Sequence, residues 1–392
     1  MRLALNVANS LPADGCAGTL VGRAWVPGSP PGPAVVALRA DGVFDLGRAA
    51  PTCAALIDAD DPAALARNVA GVRLGAIDEL LANSAADARD PGKPYFLAPI
   101  DLQAIKACGV TFVGSLLERV IEEQAKGDPS RAESIRRTIG REIGADLARV
   151  RPGSAEAERL KAALVQRGLW SQYLEVGIGP YAEVFTKAQP MSAVGTGAEI
   201  GLHPDSTWNN PEPEVVLVVD SRGAVVGATL GNDVNLRDFE GRSALLLGRC
   251  KDNNGSCAIG PFLRLFDASY GLDDLRRCEV GLTVAGDDGF TLADRSSMVE
   301  ISRDPLDLVA HTMGATHQYP DGLVLFTGTM FAPVQDRDAP GLGFTHKPGD
   351  LVTIAAPELG ALINRVGRSD RIAPWTLGAG GLMRNLAARG LL

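Results

Sequence analysis

NNPEPEVVLVVDSRG, residues 209–223, is the stretch that decides how this chain is read. Glu212 and Glu214 flank Pro213, and a run of aliphatic, mostly β-branched residues follows at once. Such a run reads as a buried strand. Side chains two apart on a strand share a face, so the two carboxylates project together. Proline is accepted at the first residue of a strand or on an edge strand, so Pro213 puts the pair at a strand end. Ser221-Arg222-Gly223 then turns the chain back into a second strand, ending in LGNDVNLRDFE, Leu230–Glu240. That hairpin returns Asp233, 19 residues after Glu214, towards the pair, and Lys251 follows 18 residues later. Neighbouring carboxylates repel, and a cation relieves the repulsion. Three hard oxygen donors with open positions suit magnesium; manganese and calcium fit by ligand type. The plainer alternative is a charged, solvated strand edge that blocks aggregation.

Outward from the hairpin, residues 180–366 are mostly strand-like. GFTLADRSSMVEISR, GLVLFTGTMFAP and GDLVTIAAPELGALINRV add strands, and their spacing predicts a barrel or sandwich-like β core. Residues 115–172 are charged, with apolar positions three and four apart, which predicts a helical insertion. Ser154 is its candidate cap and Gly168 a candidate stop. This unit is either a solvated surface element or a lid. Residues 1–92 read as a small domain of strands GTLVGRAWV, PAVVALR and GVFDLG. A helix follows them, capped by Asp61 with Pro62 at its first position. ADARDPGKP, residues 86–94, reads as a linker.

Composition removes other classes. With 392 residues, 46% hydrophobic and 22% charged, the chain is an ordinary globular protein of two or three domains. A net charge of −9 gives no counterion release on phosphates, which excludes nucleic acid as a partner. No apolar run approaches the ~20 residues of a membrane span. MRLALNVANSLPADG is too short and polar for a signal peptide, so the expected location is the cytoplasm. The six cysteines form no CxxC pair and read as reduced thiols; Cys250 and Cys257 lack partners for a zinc site. G-x-S-x-G and H-E-x-x-H are both absent, and His317 reads as a loop histidine.

Taken together, these pieces resemble the fumarylacetoacetate hydrolase superfamily. They are Glu212-Pro213-Glu214, Asn232-Asp233 through Arg237-Asp238, Lys251 near glycines, Gly260-Pro261, PDGLVLFTGT (Pro320–Thr329) and Lys347–Val366. FTKAQPMSAVGTGAEI before the glutamates matches in texture, and the likeness covers roughly 95–366. The resemblance implies an α+β chain. A β-rich mixed-roll catalytic domain spans 93–392, with the helical insertion at about 115–172, and a small N-terminal α+β domain spans 1–92. It also implies a divalent ion, magnesium or else manganese, on Glu212, Glu214 and Asp233, chelated by a 2-oxo acid.

One departure narrows the activity. Family hydrolases carry G-x-N-Y-x-x-H-x-x-E, whose histidine and glutamate activate water. Here GVTFVGSLLE, Gly109–Glu118, has Thr111, Phe112 and Ser115 in place of Asn, Tyr and His, and keeps Glu118. Without that histidine hydrolysis loses its base. The chain looks more like the subgroup that dehydrates 2-keto-3-deoxy pentonates, the xylonate type foremost, to 2-oxoglutarate semialdehyde. The expected catalytic set is Lys251, as base or enolate stabiliser, Glu118, as acid on the leaving hydroxyl, and Ser115. Ser115 and Arg119 face the sugar hydroxyls, Thr329 and Lys187 bind substrate, and Arg237 is structural. Relatives are dimers or tetramers, so a homodimer or homotetramer is expected. The rival readings are cleavage of a 2,4-dioxo acid, decarboxylation, and a non-catalytic binding protein.

Overall fold

The computed structural model describes residues 3–142 and 150–392. Two open sheets dominate it. The larger has eleven strands and contains the hairpin. Strand β10 (Pro213–Val219) begins at the proline and is buried along its whole length. It pairs antiparallel with β11 (Val225–Asp233) on one side and β16 (Leu323–Phe326) on the other. Pro213 can start an interior strand because a first residue needs no ladder N–H. The solvated-edge alternative is therefore overturned: Glu212 and Glu214 are 2% and 1% exposed. Gly223, at φ +86°, supplies the left-handed turn residue.

The sheet continues from β11 to β13 (Cys257–Leu265) and then to β1 (Leu20–Val26), β2 (Gly32–Arg39), β3 (Gly42–Asp45) and β4 (Val72–Gly75). The sheet thus runs unbroken through strands before and after residue 92. β5 (Tyr95–Leu97) also pairs with β1. On the other flank β16 pairs in parallel with β6 (Ala104–Cys108), which pairs with β7 (Val184–Ala188). The second sheet has the order β15 (Thr291–Ser297), β14 (Glu279–Ala285), β17 (Leu351–Ala356), β18 (Gly360–Arg368) and β8 (Glu199–Leu202). Neither sheet closes, so the expected barrel is replaced by the sandwich-like alternative. Val215, Leu217 and Val219 of β10 share one core with Val280, Leu282, Val352 and Ile354 of the second sheet. Val216 and Val218 face the opposite core. This two-sided burial explains the unbroken aliphatic run.

The helical insertion contains Val113–Ala125, Pro129–Glu142, Ala155–Gln166 and Gln172–Ile178. The expected helix extends over 143–149, which lie outside the described residues. Ser154 caps by accepting from Ala157 N, and Gly168, at φ +69°, follows the helix end. Asp61 caps Pro62–Asn68 in the same way. Leu116, Val120, Leu164, Leu174 and Trp208 form a core for this unit. Its first helix is also amphipathic towards the sheet, with Ser115 and Arg119 buried there.

Candidate metal centre

The hairpin register builds the site. Pro213 pairs with Asn232 and Glu214 with Gly231, which sets Asp233 beside Glu212. Asp233 N–H donates to Glu212 O at 3.0 Å, and Glu212 N–H to Asn232 Oδ1 at 3.0 Å. Carboxylate oxygens from Glu212, Glu214 and Asp233 all lie within 4.8 Å of one another, and all three residues are buried. Gly328 N–H donates to Glu214 Oε2 at 2.6 Å and orients it. Gly328 lies in the TGT turn just after β16, which explains that turn's place beside the glutamates.

Cations surround the triad. Lys251 Nζ, from the short helix Leu247–Lys251, lies 2.6 Å from Glu212 Oε2 and 3.2 Å from Asp233 Oδ2. Lys187, fully buried on β7, lies 2.9 Å from Asp233 Oδ1. That oxygen has no partner of hydrogen-bonding geometry, so the contact is an ion pair in distance only. Arg119 reaches Glu212 from the insertion, and also Glu122 at 2.6 Å and Glu240 at 3.4 Å. Arg237 Nε lies 3.1 Å from Glu122 and donates to Asn210 at 2.9 Å.

Burial, and then Asp233, push the Glu214 carboxyl well above the usual range. Burial acts likewise on Asp233, but Lys187 and Lys251 outweigh it and leave that carboxyl lowered. Burial would also lower Lys251, yet Asp233, Glu240 and Cys250 outweigh it and raise the ammonium. The acids around it, rather than the dry site, therefore decide the protonation of Lys251.

A pocket of about 20 Å³ lies over the triad, bounded by Ser115, Arg119, Glu183, Lys251 and Thr329. Ser115 Oγ donates to Phe112 O and Thr329 Oγ1 to Phe331 O, so both hydroxyls are engaged locally. Val110, a β-branched residue at φ +49°, lines the pocket; strain of this kind concentrates at functional sites. Glu118 does not line it. Arg136 holds both its oxygens, at 2.6 and 2.8 Å. Lys187 stands behind Asp233 rather than at the pocket wall. None of the four histidines lines the pocket.

Three further acids escaped the sequence reading: Glu122, Glu183 and Glu240. Burial, and then Glu240, push the Glu183 carboxyl up to about 7. Only Glu122 had a sequence signal, at i+3 from Arg119 on one helix. Among the described residues, the cations set against Glu122, Glu183, Glu212, Glu214, Asp233 and Glu240 are Arg119, Lys187, Arg237 and Lys251. Six carboxyl groups thus stand against four cations, and the two that burial raises, Glu183 and Glu214, are the ones a hard divalent ion would help to ionise. The residues present fit such an ion.

The family model described as fumarylacetoacetate (FAA) hydrolase C-terminal matches residues 175–367. Among curated proteins, the chain is 33% identical over 194 residues to a probable 2-keto-3-deoxyxylonate dehydratase of Haloferax volcanii. It is 33% identical over 193 residues to a 2-dehydro-3-deoxy-D-arabinonate dehydratase of Saccharolobus solfataricus. The matched stretches span 50% and 48% of this chain, and 63% and 60% of those relatives. A solved 2-keto-3-deoxy-D-arabinonate dehydratase, complexed with magnesium and 2,5-dioxopentanoate, shares the fold. It has a TM-score of 0.61 at 21% identity, over 89% of this chain and 99% of its own. Among the described residues no helix is long and apolar enough to cross a membrane.

Proposed function

We propose that this protein is a magnesium-dependent dehydratase of a 2-keto-3-deoxy pentonate, the xylonate foremost, with 2-oxoglutarate semialdehyde as product. The observation that carries the reading is the buried triad with Lys251 against it and no histidine at the pocket. Glu212, Glu214 and Asp233 would hold the ion. When bound, it supplies Lewis acidity to the carboxylate and keto oxygens of a 2-oxo acid.

The chain's own residues carry the protons. Glu183, raised to about 7, is poised to accept the C3 proton at neutral pH and return it to the departing C4 hydroxyl. Lys251, as an ammonium, donates to the C2 oxygen while that oxygen gains charge. Arg119 and Ser115 face the sugar hydroxyls, and Thr329 the substrate carboxylate. Glu118 acts at one remove, joining the first two insertion helices through Arg136. The protein works as a homo-oligomer in the cytoplasm on this reading. The test is a panel of 2-keto-3-deoxy acids with magnesium, watched for loss of water and a semialdehyde. Pyruvate released from a 2,4-dioxo acid, with no semialdehyde from the panel, overturns it in favour of hydrolysis.

A further inference from the structure

A second cavity, of about 440 Å³, lies away from the triad, between the N-terminal strands and the C-terminal segment. This volume falls within the roughly 300–1,000 Å³ of small-molecule sites. Trp25, Tyr95, Phe96 and Trp375 give it aromatic walls, and Ile372 and Leu377 aliphatic ones. Two arginines stand in this apolar lining. Arg23 is 6% exposed; it donates to Ile100 O, and its Nη1 lies 3.7 Å from Met191 Sδ. Arg89 donates to Ser84 O at 2.8 Å and lies over the Tyr95 ring at 4.1 Å. The Nε of each is buried without a hydrogen-bond partner. Among the described residues, neither arginine has a carboxylate within ion-pair distance.

Unpaired buried charge is costly, and proteins satisfy it with a partner. The cavity's one acid, Glu199, pairs with neither arginine, so the lining keeps an excess positive charge. A further mark of a ligand site is Met191, held at φ +71° where it meets Arg23. The main competing account is a guanidinium that carbonyls and ring faces satisfy well enough. It explains the contacts made, but not two arginines without counterions around one open cavity.

We propose that this cavity binds a small organic monocarboxylate with a flat apolar body. Arg23 and Arg89 take the carboxylate, and the aromatic walls take the ring. Two walls connect it to the first site: residues 191–195 continue from the strand carrying Lys187, and Asn254 follows Lys251 closely. A ligand there is thus placed to influence the triad's lysines. The proposal stands on the cavity alone and does not depend on the dehydratase reading.

The test is calorimetric titration of the full chain with benzoate and with benzamide, its neutral counterpart. Benzoate is expected to bind at one site per chain, with benzamide at least about tenfold weaker. Arg23→Met and Arg89→Met should each weaken benzoate by about tenfold or more. Arg89 is only half-buried, so that variant keeps the test decisive if Arg23→Met misfolds. Indole N–H spectra locate the site. Benzoate should shift Trp25 and Trp375 and leave Trp170 and Trp208 unmoved. Equal binding of benzoate and benzamide, full affinity in Arg89→Met, or a shift confined to Trp208 overturns the proposal.

Discussion

At the scale of single residues, Glu214 and Glu183 carry the sharpest expectations. Glu214→Gln removes one ligand charge but keeps the shape and the acceptor for Gly328. It should therefore abolish magnesium-dependent turnover and leave the melting profile intact; turnover that survives both the substitution and chelation would sink the metal assignment. Glu183→Gln should lower kcat by about 10²–10⁴. In the unmodified protein kcat should rise with pH through about 7, as Glu183 ionises, and that limb should vanish in the variant. The sign for stability is opposite. A carboxyl raised from 4.5 to about 7 by folding favours the native state fully below 4.5, and the benefit is lost as pH rises through about 7. Thermal melts should show that loss in the unmodified protein and less of it in Glu183→Gln.

At the scale of elements, the hairpin was legible because its signals are local. Alternation does not mark β10, but a proline start, an apolar run and a Ser-Arg-Gly turn do, and register then follows. The carboxylate cluster was legible for the same reason, since β10, the residue before it and β11 carry Glu214, Glu212 and Asp233. Glu183 was not: β7 reaches the site only through β6, whose parallel partner β16 lies more than two hundred residues away in sequence. Short strands such as β5 and β6 likewise owe their existence to distant partners rather than to pattern. The hairpin's packing also explains Gly231. A Cβ there would lie 2.3 Å from Phe326 and 2.6 Å from Val216. Gly231→Val should cost about 1–3 kcal/mol or more in denaturant unfolding and displace Glu214, its cross-strand partner.

At the scale of the whole molecule, the N-terminal strands are part of the main sheet. Leu20 and Val21 pair with Arg264 and Leu263, and β5 completes the same side of β1. A chain lacking residues 1–92 would expose the edge of β13, and exposed edges template aggregation. Such a truncation is expected in the insoluble fraction; a soluble, monodisperse fragment would contradict this. The same pairing also sets an order of events during synthesis. β1 leaves the ribosome long before β13, which completes its ladder at Leu263 and Arg264. At roughly 5–20 residues per second, the interval is on the order of ten to fifty seconds. For that time β5 covers Arg23–Trp25 of β1, while Leu20 and Val21 wait without their partners.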